Sequence, residues 1–353
     1  MEARMRHAVL GAFVGDAASL GTHWIYDPKA MAGTVTSVEA PEFRTPPAMK
    51  FYSPADYPGH YASGMLSPYG EQLLFVAEHL AEKGRVDGAA MVAATRAWAR
   101  DVWTGRKDSA TKQFLAKDPP SKADDWRAAG VADHEAHCFM KVVPATVLYA
   151  GCAERRSKVE DAIRTLQDDD LAAQFGLVAS DILEHAIVTP GATPAEALAA
   201  VEHKYEYPAV VQTALNEARA ELPLEELLLK LSREMTTPDS PFRDLAARSC
   251  ALPGAFIAVA YHFAHPATSA SYVPALRANI LAAGDTCSRA VMLGAVFGAA
   301  AGADDEVPWL DKLGTTKHPR TGETLDLANL VESIATALVD ANAQLRLAEK
   351  SVA

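Results

Sequence analysis

The chain has 353 residues, with 45 Asp+Glu against 33 Lys+Arg, a formal net charge of −12, 49% hydrophobic residues and 22% charged ones. That apolar share can build a large core, which excludes disorder as the ground state, and an acidic balance without Lys/Arg runs excludes a nucleic-acid scaffold held by counterion release. With 69 alanines, the strongest helix former, the composition predicts an all-α chain, organised as one multi-helix domain over residues 1–353.

From the N-terminus, MEARMRHAVLGAFVGD lacks the apolar stretch and small-residue cleavage site of a signal peptide. Gly11 and Gly15 lie one helical turn apart, followed by Asp16 and Gly21. Two glycines at that spacing let another backbone approach, and Asp16 is a candidate for orienting a ligand or a neighbouring loop. Residues 41–69 hold six prolines among tyrosines, so an irregular Pro/Tyr-rich loop is expected there. Leu73, Val76/Ala77 and Leu80/Ala81 then recur at helical spacing, with Gly84 placed to end that helix. Lys117–Gly130, containing DPPSKADDW, reads as a second loop.

In DHEAHCFMKVVP, His134, Glu135 and His137 suggest a metal cluster, but the spacing is not HExxH; helical packing with exposed imidazoles is the favoured reading. Asp168, Asp169 and Asp170 precede the stripe Leu171, Phe175, Val178, Ile182, where a capping Asp and negative charge suit a helix N-terminus. Pro194 follows Thr193 at a predicted first turn, and Pro208 separates two helical runs. The segment 279–302, NILAAGDTCSRAVMLGAVFGAAAG, enters a helix through Gly284, Asp285 and Thr286 and lines up Gly294, Gly298 and Gly302 on one face. Such a start offers free N–H groups beside Asp285, Thr286 and Ser288 for an anion or a hard cation; simple capping by Asp285 or Thr286 is the competing reading. Cys287 in the first turn is the candidate reactive thiol, since a helix N-terminus favours thiolate. The alternative is a small buried residue. Cys138, Cys152 and Cys250 form no CxxC pair with it, which fits a reduced, cytoplasmic setting. The nearly uncharged Ala290–Ala303 is shorter than the roughly 20 residues a membrane span needs. A last stripe runs through Leu327, Leu330, Ile334 and Leu338.

The pairing of GAFVGDAASLG (11–21) with the glycine-rich 279–302 segment, followed by Trp309, Leu310 and Leu313, resembles the ADP-ribosylglycohydrolase family across most of the chain. The resemblance implies an all-helical fold with a central cleft that, in active members, holds two magnesium ions and binds ADP-ribose. Active members carry a Thr-Asp-Asp-Thr run at an early helix and a distal Gly-Asp-Thr-Asp-Thr run. Here Tyr69 and Gly70 stand where the two early aspartates are expected, and Cys287 replaces the second distal one, with Ser288 beside it. Only Met140, Lys141 and Pro144 match the family's Asn-Gly-x-x-Met-Arg-x-x-Pro run. Magnesium prefers oxygen donors in octahedral geometry, and a thiol is soft. The resemblance therefore implies no resident cofactor, or at most one weakly bound Mg2+ on Asp285 with Glu71 and Asp16 nearby.

The departures, with GDTCSR and YGEQ, are similar to the crystallin J1 branch of the family. On this basis Asp285 and Glu71 are the candidate catalytic residues, with Asp16, Gly284, Thr286, Ser288 and Tyr69 the candidate ligand contacts. The expected partner is a small nucleotide-like ligand such as ADP-ribose, not nucleic acid or membrane. The leading reading is a metal-depleted binding or structural protein. The competitors are an active hydrolase of a glycosidic bond to ADP-ribose with one atypical metal, and an interaction protein using the 41–69 loop.

Overall fold

The computed structural model describes residues 1–353 except 27, 36, 47–55, 235–249, 303–304, 318–323 and 353. In chain order the helices are α1 (Glu2–Ser19), α2 (Pro28–Thr34), α3 (Pro68–Lys83), α4 (Gly88–Ala97), α5 (Ser109–Ala116), α6 (Phe139–Leu148), α7 (Arg155–Arg164) and α8 (Asp170–Val188). They continue as α9 (Pro194–Lys204), α10 (Ala209–Glu217), α11 (Leu224–Glu234), α12 (Gly254–Ala264), α13 (Tyr272–Leu281), α14 (Thr286–Ala300) and α15 (Leu327–Val352). Two three-residue strands, β1 (Thr315–Lys317) and β2 (Thr324–Asp326), pair antiparallel just before α15. The chain is all-α, as its composition predicts.

The centre of the fold is the antiparallel pair α1 and α14, whose glycines bring the two backbones into contact. A Cβ on Gly11 would lie 2.2 Å from the Gly294 carbonyl oxygen, one on Gly294 2.0 Å from that of Gly11, and one on Gly298 2.3 Å from that of His7. No larger residue fits at these positions. This crossing sets the end of α1, with Asp16, against the start of α14, with Asp285 and Cys287. Around it α6, α8 and α12 contribute almost wholly buried faces, and one continuous apolar cluster reaches from Met5 to Ala341.

Helix boundaries follow local chemistry. Ser67 caps α3 by accepting from the Tyr69 and Gly70 amides, and Gly84 closes it at φ 63°. Asp169 caps α8 through the Ala172 amide, while Asp168 and Asp170 pair with Arg164. Thr193 and Glu196 form a capping box on α9, and Pro208 separates α9 from α10. The Lys117–Gly130 stretch departs from α-helix, with 3-10 turns over Ala123–Ala129. In the 41–69 segment, 47–55 lie outside the described residues, and Pro68 and Tyr69 already belong to α3. By length and composition alone Asp170–Val188 is apolar enough to cross a membrane, but 67% of that window is buried inside the fold.

Candidate functional site

Asp16 sits on α1, fully buried, one helix away from the cap it serves. Its Oδ2 accepts from the Ser67 amide at 2.8 Å and its Oδ1 from the Ser67 hydroxyl at 2.5 Å. The Ser67 hydroxyl oxygen accepts in turn from the Tyr69 and Gly70 amides. The carboxylate therefore terminates a relay into the N-terminus of α3. It also occupies the space a side chain at position 70 would need, because a Cβ on Gly70 would stand 2.1 Å from Asp16 Oδ2 and 2.7 Å from its Cγ. Burial pushes the Asp16 pKa up to about 7, against the pull of the Ser67 hydrogen bonds.

At the facing end, Asp285 is fully buried at the start of α14. Ser288 donates to its Oδ2 at 2.5 Å, and His23 Nδ1 lies 3.2 Å from Oδ1, an oxygen that accepts no hydrogen bond among the described residues. The same His23 nitrogen accepts from the Cys287 amide, which marks it as the unprotonated one. Burial raises the Asp285 pKa to about 6 and holds that of His23 well below its ordinary value. Below about pH 6 a proton on Asp285 Oδ1 faces the neutral His23 ring. Asp285 does not cap its own helix with its side chain. Cys287 is enclosed, with Sγ 3.5 Å from the Asp16 carbonyl oxygen, and burial pushes its pKa well above the ordinary thiol value. That is the reverse of the direction expected from the helix terminus alone, because loss of solvent outweighs the dipole.

Beside this buried face opens a cavity of about 190 Å³, walled by Trp24, Tyr69, Arg106, Glu135, His137 and Cys250 among others. The Arg106 guanidinium lies over the Trp24 ring, 4.4 Å from its centroid, and the Tyr69 ring is 5.2 Å from that of His137. His137 is buried among carboxylates: Nδ1 is 3.1 Å from Asp133 Oδ2, and Nε2 is 3.6 Å from both Asp108 Oδ2 and Glu135 Oε2. Burial alone would lower its pKa; Asp108 and Asp133 outweigh that and push it up to about 9. Lys141, buried beneath, donates to the His137 carbonyl, and desolvation lowers its pKa to about 8. His137 is thus an imidazolium at neutral pH, a cation supplied by the chain itself.

Of the residues singled out in the sequence, Tyr69 lines this cavity. Asp16, Asp285 and Cys287 gather directly behind it. Gly284 is used by the backbone, its N–H donating to Ile25 and its carbonyl accepting from Trp24, while the Thr286 hydroxyl donates to the Ser19 carbonyl. Glu71 does not join the group: it faces a different cavity, held by His60, Tyr61 and Trp103. The exposed imidazole expected at His137 is corrected to a buried one, because Asp108 and Asp133 stabilise its charge. His137 and Glu135 do lie with a third donor atom, from Asp133 rather than His134, all within 4.8 Å of one another. Their spacing was visible in the sequence; Arg106 and Asp108 gave no signal, since they reach the cavity only through the loop after α4.

Comparisons with known proteins bear on the family and the fold. A family model described as ADP-ribosylglycohydrolase matches residues 1–344. Crystallin J1A of Tripedalia cystophora is 23% identical over 308 residues, covering 83% of this chain and 86% of that protein. Crystallin J1B of the same organism is 24% identical over 201 residues, covering 52% and 58%. Among solved structures, an ADP-ribosylglycohydrolase-related protein complex superposes with a TM-score of 0.67 over 97% of this chain and 98% of that one, at 19% identity, a likeness of fold.

Proposed function

The chain belongs to the ADP-ribosylglycohydrolase family, and from that premise we propose that it binds an ADP-ribose-like ligand through the Trp24–Tyr69–Arg106 cavity without the family's two-magnesium chemistry. The observation that carries this reading is Asp16 filling the space beside Gly70, where an aspartate side chain would have to stand. The remaining donors do not fit a pair of hard cations. Asp16 is committed to Ser67, Asp285 is closed in by Ser288 and His23, and position 287 offers a buried sulfur. His137 brings one fixed positive charge to the same cavity wall, where Asp108, Asp133 and Glu135 already balance it.

The cavity's chemistry suits one part of such a ligand. About 190 Å³ is below the roughly 300–1,000 Å³ of pockets that enclose a drug-sized molecule, so it matches a single sugar or heterocycle rather than a whole dinucleotide. Trp24 and Tyr69 supply ring faces, and Arg106 supplies a phosphate-seeking guanidinium. The buried Asp108 and Gln72 and the partly exposed Glu135, which line the same cavity, supply hydroxyl-binding groups.

A second reading, a hydrolase with a single metal, is favoured by one feature, the convergence of Asp133, Glu135 and His137. Calorimetric titration with ADP-ribose, with and without magnesium, separates the two. Binding that magnesium leaves unchanged, with no release of ADP-ribose from modified protein, supports the proposal. Turnover abolished by EDTA overturns it in favour of the hydrolase.

A further inference from the structure

α3 separates two cavities. At 100° per residue, Tyr69 and Gln72 point one way, and Glu71, Leu74, Phe75 and Glu78 point nearly opposite. The latter group walls a cavity of about 330 Å³, larger than the first. Its apolar wall is a ladder of rings: Phe75 stacks on Trp98 at 4.5 Å and 13°, and Trp98 on Trp103 at 4.6 Å and 12°. The Trp98–Val102 segment is wound as a π-turn, closed by the Trp103 amide on the Trp98 carbonyl at 2.8 Å, a distortion that often accompanies functional sites.

One end of this cavity is polar and tightly built. Glu71 Oε2 accepts from the Tyr61 hydroxyl and from Trp103 Nε1, each at 2.9 Å. Its Oε1 pairs with His60 Nδ1, and His60 Nε2 lies 3.0 Å from Thr104 Oγ1. A Cβ on Gly105 would stand 2.3 Å from Glu71 Oε2, so glycine is what lets the Thr104 loop close on this group. Carboxylate, imidazole and hydroxyl are thus joined in series, Nδ1 to the acid and Nε2 to the alcohol, and all three residues line the cavity. This is the connectivity by which a base, oriented by an acid, activates an oxygen nucleophile.

We propose that Thr104, His60 and Glu71 form an acyl-transfer triad that hydrolyses small esters carrying an apolar acyl or aryl group. Thr104 Oγ1 attacks the ester carbonyl carbon as His60 Nε2 takes the hydroxyl proton. The C–O bond to the leaving alkoxide or phenolate breaks, and His60 returns the proton to it, leaving an acyl ester on Thr104. Water, deprotonated by His60 Nε2, then attacks that ester; the acyl C–Oγ1 bond breaks, His60 returns the proton to Thr104 Oγ1, and the carboxylic acid leaves. Glu71 is the positioning residue: it fixes the ring and the tautomer, and its hydrogen bond raises the His60 pKa. The ring ladder selects an apolar group, and the carboxylates of Glu71 and Glu78 on the wall discriminate against anionic substrates.

The test uses p-nitrophenyl butyrate with the full chain. The expected result is a burst of p-nitrophenolate matching the protein concentration, and a butyryl group on the Thr104 peptide by mass spectrometry. Thr104→Val, which removes the hydroxyl at an exposed position and keeps the side chain's shape, lowers the rate at least about 100-fold, and Thr104→Ser retains it. Glu71→Gln lowers kcat about tenfold with KM unchanged, since Glu71 acts through His60. Absence of hydrolysis, a rate unchanged in folded Thr104→Val, or butyryl groups found only at other residues overturns the proposal.

Discussion

Tyr69 and Glu71 stand two residues apart on α3, yet they belong to different chemistry. On the Tyr69 side the polar groups are buried and held mainly by the protein itself: Asp16 by Ser67, one oxygen of Asp285 by Ser288, His137 by three carboxylates. On the Glu71 side the acid and imidazole are only partly buried and end on the exposed Thr104 hydroxyl, beside His60, in a roomier cavity. The difference teaches that donors gathered in one place are not thereby a metal site. What decides is whether their lone pairs are still available after the protein has used them.

The strongest way to break that contrast is to restore a carboxylate on the closed side. Gly70→Asp must displace Asp16, and we expect a loss of more than about 4 kcal/mol in urea denaturation. A cost below about 1 kcal/mol would mean that the space beside Gly70 is not filled as described. Removing the internal cation comes next: His137→Ala leaves Asp108, Asp133 and Glu135 facing one another, and a loss of about 3 kcal/mol is expected.

A pH series sharpens the comparison further. The folded-state pKa values of Asp16 and Asp285 are raised, to about 7 and about 6, so the native chain holds protons the unfolded chain has lost. Their stabilisation is complete below the ordinary carboxylate pKa and is lost as pH rises through about 6 to 7. That of His137 is complete below the ordinary histidine value and disappears as pH rises through about 9. Asp16→Asn should flatten the first decline, and His137→Gln the second, in denaturant midpoints measured across pH. A slope left unchanged by both substitutions contradicts these protonation states. The smallest effect belongs to the open side, where Thr104→Val should change stability by less than about 0.5 kcal/mol.

Much of the fold was legible because it is local. Four-residue glycine spacing announced a close backbone approach on each of α1 and α14, though not that the two approach each other, and Thr193-Pro194 and the Asp168–Asp170 run announced helix starts. The site was legible only as positions. Asp16 was visible, but its partner Ser67 lies 51 residues on, and no spacing rule joins them. For Cys287 the helix dipole was readable and the burial that overrides it was not. For His137 the neighbour Glu135 was readable, while Asp108 arrives from a distant loop and turns an expected surface imidazole into a buried cation. Glu71 was correctly placed on the early helix, and only the helix phase shows that it faces away from Asp285.

The proposal at stake is that the cavity binds a nucleotide-like ligand while Asp16, Asp285 and Cys287, held by contacts within the fold, no longer hold a pair of hard ions. Manganese binding followed by electron paramagnetic resonance, with and without ADP-ribose, tests it most directly, because the free-ion signal disappears when the ion is held. The account predicts that the full chain leaves the free-manganese signal undiminished at micromolar concentrations whether or not ADP-ribose is present. Loss of two equivalents of signal per chain, restored when Asp285 is replaced by Asn, would contradict it.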